Sequence, residues 1–238
     1  MATKKLPTLS VFFPAYNEEG NITATINNAA RILPKVAEEY EILVVNDGSR
    51  DQTGARVKAL MKKYKFLRLV THDPNRGYGG ALKTGFAKTK YDPVVFTDSD
   101  GQFDFTEVAK FKDALGSTKA DVVIGYRIKR SDPPKRLLIA ALLKLWNLFW
   151  FGIWFRDIDC GFKLVRRRVL DEVMPLASNG GIISTEFLAK VKRSGLRIAQ
   201  VGVHHYRRKA GTSTGDNLKV ISKAVIETFK IWYDININ

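Results

Sequence analysis

The sequence predicts an α/β fold with a mostly parallel central sheet flanked by helices. Five short apolar runs, LSVFF, EILVV, FLRLV, PVVFT and ADVVIG, alternate with stretches of helical length that carry spaced charges. The runs lack polar alternation, which is typical of strands buried on both faces of a parallel sheet. With 238 residues, 45% of them hydrophobic, one domain is expected. Such sheets bind ligands at the carboxyl ends of their strands, so functional residues are expected just after each run.

The first two runs end in polar segments. The first is followed by Tyr16 and Glu18, which place an aromatic ring and a carboxylate at the end of the strand. The second is followed by Asn46-Asp47-Gly48-Ser49, which places Asp47 at the equivalent position one strand over. A strand terminator and helix cap is the alternative interpretation, because Asp and Ser are favoured in turns and caps.

The fourth run ends in Thr97-Asp98-Ser99-Asp100-Gly101-Gln102, with two carboxylates two residues apart. Hard oxygen ligands that leave positions open for phosphate oxygens suit Mg²⁺ or Mn²⁺. A calcium loop is excluded because Phe103 stands where that loop needs Gly and Ala109 where it needs Glu. A plain acidic turn remains the alternative.

A glycine-rich segment, Asn75-Arg76-Gly77-Tyr78-Gly79-Gly80, opens the next helical pattern. Glycines at a helix N-terminus allow its amides to approach a phosphate closely. The dinucleotide fingerprint fits poorly because Leu82 occupies its last glycine position. A flexible turn is the alternative for this segment.

Together these segments resemble the family 2 inverting glycosyltransferases, and within them the dolichol-phosphate mannose synthase and related polyprenyl-phosphate group. The order carries the resemblance: from about residue 9 to 215 the chain contains PAYNEEGNI, VVNDGSRDQT, NRGYGGALKTGF, FTDSDGQFD, GYR, DIDCGFKLVRR, STEF and RRKAGTS. The resemblance implies an A-type glycosyltransferase fold, with a Rossmann-like nucleotide-sugar and metal half at about 1–127 and an acceptor half at about 128–238.

The resemblance also implies roles for individual residues. Those expected to bind the nucleotide sugar are Pro14, Ala15, Tyr16, Glu18, Val45, Asp47, Gly77, Asp98, Ser99, Asp100, Gln102 and Arg208. Those expected around the metal and the diphosphate are Asp98, Asp100 and Gln102.

Three arginines are candidates for handling phosphate in catalysis, because guanidinium groups offer planar bidentate donors. They are Arg127, Arg136 and Arg208, the last opening a segment that looks like the family's flexible loop over the donor phosphates. Solvated surface charges are the alternative. The chain departs from the family at Ala140, where a Ser often follows the acceptor arginine, and at Thr214, where a Lys often follows the loop Ser.

The acceptor class stays open between a lipid phosphate and a sugar hydroxyl. A phosphate monoester has its second pKa near 6, so it already carries its attacking oxyanion. A hydroxyl needs a general base, for which Asp159 and Glu186 are the candidates. His204 and His205 fall in a predicted strand, VGVHHY, and are expected to be structural rather than metal ligands.

The most apolar segment is 137–155, LLIAALLKLWNLFWFGIWF, interrupted by Lys144 and Asn147 and flanked by basic residues. An interfacial helix, a core helix and a membrane span of about 20 residues compete as interpretations. The first is favoured, since the breaks and the Trp and Phe content suit the headgroup region. Membrane contact is therefore expected to be peripheral, or made through a separate anchoring partner.

The net charge is +15, which favours polyanionic partners. A nucleic-acid-binding module is the alternative from another class, but it leaves Asp47, Asp98 and Asp100 unexplained, so no nucleic-acid partner is expected. The single Cys160 and an N-terminus without a signal-peptide pattern predict a reducing compartment. The predicted function is metal-dependent inverting transfer of a hexose from a nucleotide diphosphate sugar to a lipid-linked phosphate at the cytoplasmic face of a membrane. A soluble glycan or protein acceptor is the closer alternative.

Overall fold

A computed structural model describes residues 4–129, 134–208, 210 and 218–237. Its strands are β1 (Leu6–Ala15), β2 (Ala37–Asn46), β3 (Leu67–Thr71), β4 (Val94–Phe96), β5 (Val122–Arg127), β6 (Lys163–Val165) and β7 (Ile198–Val203). Its helices are α1 (Ile22–Val36), α2 (Thr53–Lys63), α3 (Gly77–Lys88), α4 (Val108–Ser117), α5 (Pro134–Phe151), α6 (Arg167–Val173), α7 (Ile183–Arg193) and α8 (Leu218–Ile237), with a short 3₁₀ turn at Phe105–Glu107.

The seven described strands form one sheet in the order β3-β2-β1-β4-β6-β5-β7. Strands β1 to β4 are mutually parallel, and β5 pairs in parallel with β7. Only β6 runs against its neighbours in this sheet, between β4 and β5. The prediction of a mostly parallel sheet flanked by helices is therefore confirmed, and all five predicted strands form.

Two details of the strand prediction are wrong. Strand β6 was not predicted, because three residues beginning with a lysine are too short to show a strand pattern. The predicted strand VGVHHY ends at Val203, so His204 and His205 lie beyond it. His205 forms an isolated bridge with Phe103 instead.

The strands are apolar throughout because both faces of the sheet are covered. In β1, Val11 and Phe13 face the core that contains α1, α2 and α4, whereas Phe12 faces the core that contains α3, α6 and α7. Strand β2 divides in the same way, with Val44 on the first side and Val45 on the second. A helical layer on each face leaves the carboxyl ends of the strands as the open edge.

Helices α5 and α8 pack against each other through aromatic side chains. The Trp146 indole donates a 3.1 Å hydrogen bond to the Thr228 hydroxyl, and the Trp150 ring lies 4.9 Å from Phe229. Helix α5 ends at Phe151, before the end of the predicted 137–155 helix, because Gly152 adopts a left-handed conformation with φ of 62°. Among the helices in the described part of the chain, none is both long and apolar enough to cross a bilayer.

Candidate active site

Three of the predicted site segments meet at the carboxyl edge of the sheet. The Asp47 amide, after β2, donates a 2.8 Å hydrogen bond to the Ala15 carbonyl at the end of β1. The Ser99 hydroxyl, after β4, donates a 2.7 Å hydrogen bond to the Pro14 carbonyl. These bonds hold the segments after β1, β2 and β4 together, as expected from the order of the parallel strands.

Asp98 is the most electrostatically perturbed carboxylate of this edge. Burial first, and then the charge of the neighbouring Asp100, raise the pKa of Asp98 to about 6. The Tyr78 hydroxyl donates a 3.1 Å hydrogen bond to Asp98 Oδ1. On the other side, the backbone at Gly161 comes so close that a Cβ there would lie 2.1 Å from Asp98 Oδ2. Only a glycine therefore leaves room for this carboxylate.

The donor set around Asp98 and Asp100 fits Mg²⁺ or Mn²⁺. Two hard carboxylates that repel each other are relieved by a divalent cation, and the amide oxygen of the Gln102 side chain is a third oxygen donor of the same segment. The Gln102 main-chain amide donates to Asp100 Oδ1 at 3.0 Å, and its side-chain amide donates to the Tyr206 carbonyl at 2.9 Å. Within the described residues, no three or more His, Cys, Asp or Glu side chains lie together so that they could hold a metal by themselves. A site with few protein ligands is what these metals use when substrate phosphates complete the coordination.

Arg208 reaches back to this edge and pairs with Glu18. Its Nη2 contacts Glu18 Oε1, and its Nη1 lies 3.7 Å from Asp100 Oδ2. The Asn21 side-chain amide donates to Glu18 Oε2 at 2.8 Å and to the Ala210 carbonyl at 3.1 Å. Burial is the largest influence on Glu18 and raises its pKa, against the opposing effects of Asn21 and Arg208. The segment after β1 thus contacts both Arg208 and Ala210.

The other residues predicted to hold the nucleoside differ in their exposure. Tyr16 is 41% exposed, so its ring is accessible at the edge. Val45 is fully buried in the core beside α3, so a nucleoside could contact it only through its main chain. Asp47 is buried and accepts hydrogen bonds at Oδ1 from His72 Nδ1 at 2.6 Å and from the Arg76 amide at 2.8 Å.

The glycine-rich segment packs against protein main chain. A Cβ at Gly77 would lie 2.5 Å from the Asn179 carbonyl oxygen, and one at Gly79 would lie 2.7 Å from the Ser178 carbonyl oxygen. The Gly77 amide donates to Asn75 Oδ1 and the Gly79 amide to the Asn179 carbonyl. The amides of Gly77 and Gly79 are therefore already bonded within the protein. These contacts explain the two glycines by close packing and disfavour Gly77 as a phosphate contact.

Arg127 is held by a partner that the sequence analysis did not single out. Its Nε and Nη2 donate to the two carboxylate oxygens of Asp157 at 2.6 and 2.9 Å, and both side chains are buried. This bidentate pair fixes the guanidinium and leaves it less available to a phosphate than a solvated arginine. Arg136 and Ala140 lie in α5, but their side chains are outside the described part of the chain, as are residues 211–217, which include Thr214.

Glu186 does not fit the role of a general base. It is 1% exposed, and its two carboxylate oxygens accept hydrogen bonds from the main-chain amides of Ala177 at 2.7 Å and Ser178 at 2.9 Å. The Lys190 ammonium group lies 3.2 Å away. These bonds make Glu186 a support for the segment that packs against the glycines. Asp159, the other candidate base, is exposed.

A family model decides the wider assignment. The model of glycosyl transferase family 2 matches residues 10–174. The chain belongs to glycosyl transferase family 2. The resemblance predicted from the order of the segments is therefore confirmed.

Two relatives within the family carry names that refer to lipid-linked acceptors. A dolichyl-phosphate beta-glucosyltransferase of Saccharomyces cerevisiae is 32% identical over 219 residues, which make up 82% of this chain and 66% of the relative. A polyprenol monophosphomannose synthase of Mycolicibacterium smegmatis is 28% identical over 222 residues, 88% of this chain and 82% of the relative. The chain spans two thirds or less of the length of the dolichyl-phosphate glucosyltransferases that it matches.

A solved structure matches the fold of this family 2 chain. Glucosyl-3-phosphoglycerate synthase of Mycobacterium tuberculosis, in complex with Mn²⁺ and uridine-diphosphate-glucose, has a TM-score of 0.70 and 25% identity. The match covers 96% of this chain and 80% of that chain. The prediction of an A-type glycosyltransferase fold is confirmed.

One further residue near the candidate site of this family 2 chain was missed by sequence reasoning. Lys163 on β6 has a fully buried side chain whose Nζ donates to the Cys160 carbonyl. Burial lowers the pKa of Lys163, whereas Asp157, Asp159 and Asp98 act in the opposite direction. The buried amine of Lys163 therefore lies within electrostatic reach of Asp98. The sequence carries one signal for it, since a lysine between Phe162 and Leu164 is unusual in an apolar run.

Proposed function

We propose that the chain catalyses metal-dependent inverting transfer of a hexose, mannose or glucose, from a nucleotide diphosphate sugar to a polyprenyl phosphate at the cytoplasmic face of a membrane. The observation that carries the proposal is the cluster of Asp98, Asp100 and Arg208 at the carboxyl edge of the sheet. Two carboxylates and a guanidinium in one place suit a diphosphate and its metal better than they suit a neutral ligand.

On the donor side, the proposal assigns Asp98, Asp100 and the Gln102 amide oxygen to the metal, and Arg208 to the diphosphate. A bound Mg²⁺ or Mn²⁺ would neutralise charge that develops on the departing nucleoside diphosphate. Glu18 holds the Arg208 guanidinium beside Asp100, so this positive charge is already in place when a nucleotide sugar binds. The matched synthase structure contains Mn²⁺ and uridine-diphosphate-glucose, which supports the same class of donor here.

On the acceptor side, a phosphate is favoured over a hydroxyl. A phosphate monoester is largely ionised at neutral pH and attacks without a strong base, whereas a hydroxyl needs one. One of the two candidate bases, Glu186, is bonded to main-chain amides and buried. The relatives are named as a dolichyl-phosphate beta-glucosyltransferase and a polyprenol monophosphomannose synthase, which supports a lipid phosphate as the acceptor.

Membrane contact is proposed through the α5 and α8 pair. Helix α5 exposes Leu142, Leu145, Leu148 and Phe149, and α8 exposes Ile226, Phe229, Tyr233 and Ile237. The Lys144 ammonium lies 4.1 Å from the ring centroid of the exposed Trp154. A cationic and an aromatic side chain side by side suit the headgroup region of a bilayer. The net charge of +15 adds attraction to anionic lipid. A separate membrane-anchoring partner would act at the same surface.

A soluble acceptor is the second candidate, because the matched synthase is named for a small phosphorylated acid. The test is a panel of UDP-glucose, GDP-mannose and other nucleotide sugars, with Mn²⁺ or Mg²⁺. Each donor is combined with a short polyprenyl phosphate, with 3-phosphoglycerate, with a glycan or with no acceptor. We expect transfer to the polyprenyl phosphate, an inverted anomeric product by NMR and loss of turnover in EDTA. Transfer only to a soluble acceptor would favour the second candidate, and no transfer from any donor would contradict the proposal.

A further inference from the structure

We propose that His72 is a positioning residue that fixes the carboxylate of Asp47 and thereby restricts the donor to bases whose pairing edge carries a ring N–H. The inference rests on the proposed function, because it assumes that Asp47 meets the base of a nucleotide sugar. His72 was not among the residues that the sequence indicated.

His72 follows β3 and is enclosed by the residues that it bonds. Its ring is 3% exposed, with Nδ1 at 2.6 Å from Asp47 Oδ1 and Nε2 at 2.9 Å from the Thr84 hydroxyl of α3. Its main-chain amide donates to the Asn46 carbonyl at 2.9 Å. The ring is therefore held at both nitrogens and at its backbone, and it cannot rotate without breaking two side-chain hydrogen bonds.

The direction of these hydrogen bonds follows from the chemistry of the partners. An ionised carboxylate can only accept, so Nδ1 carries the proton that it shares with Asp47. The Thr84 hydroxyl can donate to a neutral ring or accept from a protonated one, so it supports His72 in either state. Thr84, His72 and Asp47 thus form a continuous chain from α3 to the end of β2.

The Asp47 carboxylate is consequently fixed through one oxygen. Oδ1 accepts from His72 and from the Arg76 amide at 2.8 Å, while the Asn75 side-chain amide donates to the Asp47 carbonyl at 2.6 Å. Oδ2 accepts no hydrogen bond from any residue in the described part of the chain. With Oδ1 occupied, Oδ2 is the acceptor that Asp47 offers to a ligand at the edge.

A fixed acceptor oxygen selects among nucleobases according to whether the atom that faces it is a hydrogen-bond donor or an acceptor. Uracil and guanine present a ring N–H at the centre of their pairing edge, which can donate to Oδ2. Cytosine and adenine present a ring-nitrogen lone pair at the same place, which repels a carboxylate. A buried polar group left without its partner is costly, so a site of this kind rejects the wrong base strongly. If His72 were absent, the carboxylate could turn and the distinction would weaken.

The experiment measures binding of UDP, GDP, CDP and ADP to the full chain by calorimetry with Mn²⁺. We expect the parent to bind UDP, GDP or both at least ~10-fold more tightly than CDP and ADP. In His72→Phe, which keeps the ring size but removes both ring hydrogen bonds, the preferred nucleotide should lose about 10-fold while CDP and ADP change less than about twofold. His72→Asn, whose amide nitrogen can replace Nδ1, should retain most of the preference.

Further variants separate positioning from general stability. In the Asp47→Asn background, His72→Phe should have no additional effect on nucleotide affinity, because the group through which it acts is already changed. Thr84→Val, which removes the outer bond of the chain, should reduce the preference partially and keeps the test decisive if His72→Phe does not fold. Equal weakening of all four nucleotides in His72→Phe, or an unchanged preference in Thr84→Val and His72→Phe, would overturn the inference.

The outcomes distinguish this inference from the proposed function. A parent protein that prefers UDP or GDP and loses the preference in His72→Phe, yet transfers no sugar, would contradict the proposed function alone. A parent that transfers sugar but shows no preference among the four bases would contradict the inference alone. A parent that binds none of the four nucleotides would contradict both.

Discussion

The Tyr78 hydroxyl donates a 3.1 Å hydrogen bond to Oδ1 of Asp98, which joins the glycine-rich segment to the carboxylate pair after β4. Burial is the largest influence that raises the pKa of the Tyr78 phenol, and Asp98 adds to it, so the phenol stays protonated and remains a donor. Its hydrogen bond favours the ionised form of Asp98, against burial and Asp100, which raise the pKa of that carboxyl to about 6.

The pH dependence of metal binding follows from this pair. A metal binds the ionised carboxylate, so the affinity of the protein for Mn²⁺ should fall as the pH drops below about 6. Tyr78→Phe removes the bond that favours the ionised form, so it should move this fall to higher pH. Calorimetric Mn²⁺ titrations between pH 5 and 8 check both statements. Tyr64→Phe, which loses only a hydrogen bond to Asn27, is the matched control.

The stability of the metal-free protein gives an independent readout. The folded pKa of Asp98 is raised above its ordinary value of 3.8, so the folded state binds this proton more readily than the unfolded state. The contribution of Asp98 to stability is therefore present at low pH and is lost as the pH rises through about 6. Asp98→Asn should remove this part of the pH dependence. A metal affinity that is the same at pH 5 and pH 7 would contradict the assignment of Asp98.

Asp100→Ala should lower donor turnover by at least ~100-fold, or about 2.7 kcal/mol of transition-state stabilisation, because it removes a hard oxygen ligand at the diphosphate. Initial rates of nucleoside diphosphate release measure the effect. Asp113→Ala, which removes an exposed carboxylate on α4, is the control and should keep its activity. Full activity of the parent in EDTA would rule out the metal.

The positions of the candidate residues could be predicted from the sequence, but their partners could not. Parallel strands bring their carboxyl ends to one edge, so the meeting of the segments containing Asp47 and Asp98 follows from the order of the runs. Arg127 pairs with Asp157, which is 30 residues away in the sequence, and no periodicity of the sequence predicts this contact. Burial of Glu186 depends on how α7 packs against the segment at Ala177 and Ser178, which local sequence does not specify.

Glu18→Gln should loosen the backbone at Arg208, because the guanidinium loses the charge of its partner. A hydrogen bond to a charged group contributes about 1.5 kcal/mol, so cleavage by trypsin after Arg208 should accelerate roughly 10-fold. Glu19→Gln is the matched control, since its side chain accepts from the Gln52 amide and does not contact Arg208. Equal cleavage rates in the parent and Glu18→Gln would show that the pair does not hold Arg208 in place.

Glu186→Gln should destabilise the protein without removing a catalytic base. The amide replaces one of the two oxygens that accept main-chain hydrogen bonds, and a buried donor left unpaired costs about 1–3 kcal/mol. The melting temperature should fall, while the rate per folded molecule stays close to that of the parent. Asp159→Asn, at the other candidate base, is the comparison for the rate of transfer, because Asp159 is exposed whereas Glu186 is buried. A large loss of transfer in Glu186→Gln at unchanged stability would restore Glu186 as a base.

Helices α5 and α8 together expose an apolar surface that we predict binds the membrane. Phe149 is 79% exposed on α5 and Leu145 is exposed four residues earlier, whereas Trp150 packs against Phe229 and Trp232 between the helices. Leu145→Ser with Phe149→Ser should therefore release the protein from liposomes while leaving its fold and its hydrolysis of the donor unchanged. Binding by the parent should strengthen with anionic lipid and weaken with salt, because apolar insertion and attraction to headgroups act together. Trp150→Ser is the contrasting variant, since it removes packing between the helices and should lower the melting temperature. Flotation that is insensitive to the double substitution would show that this face does not contact the membrane.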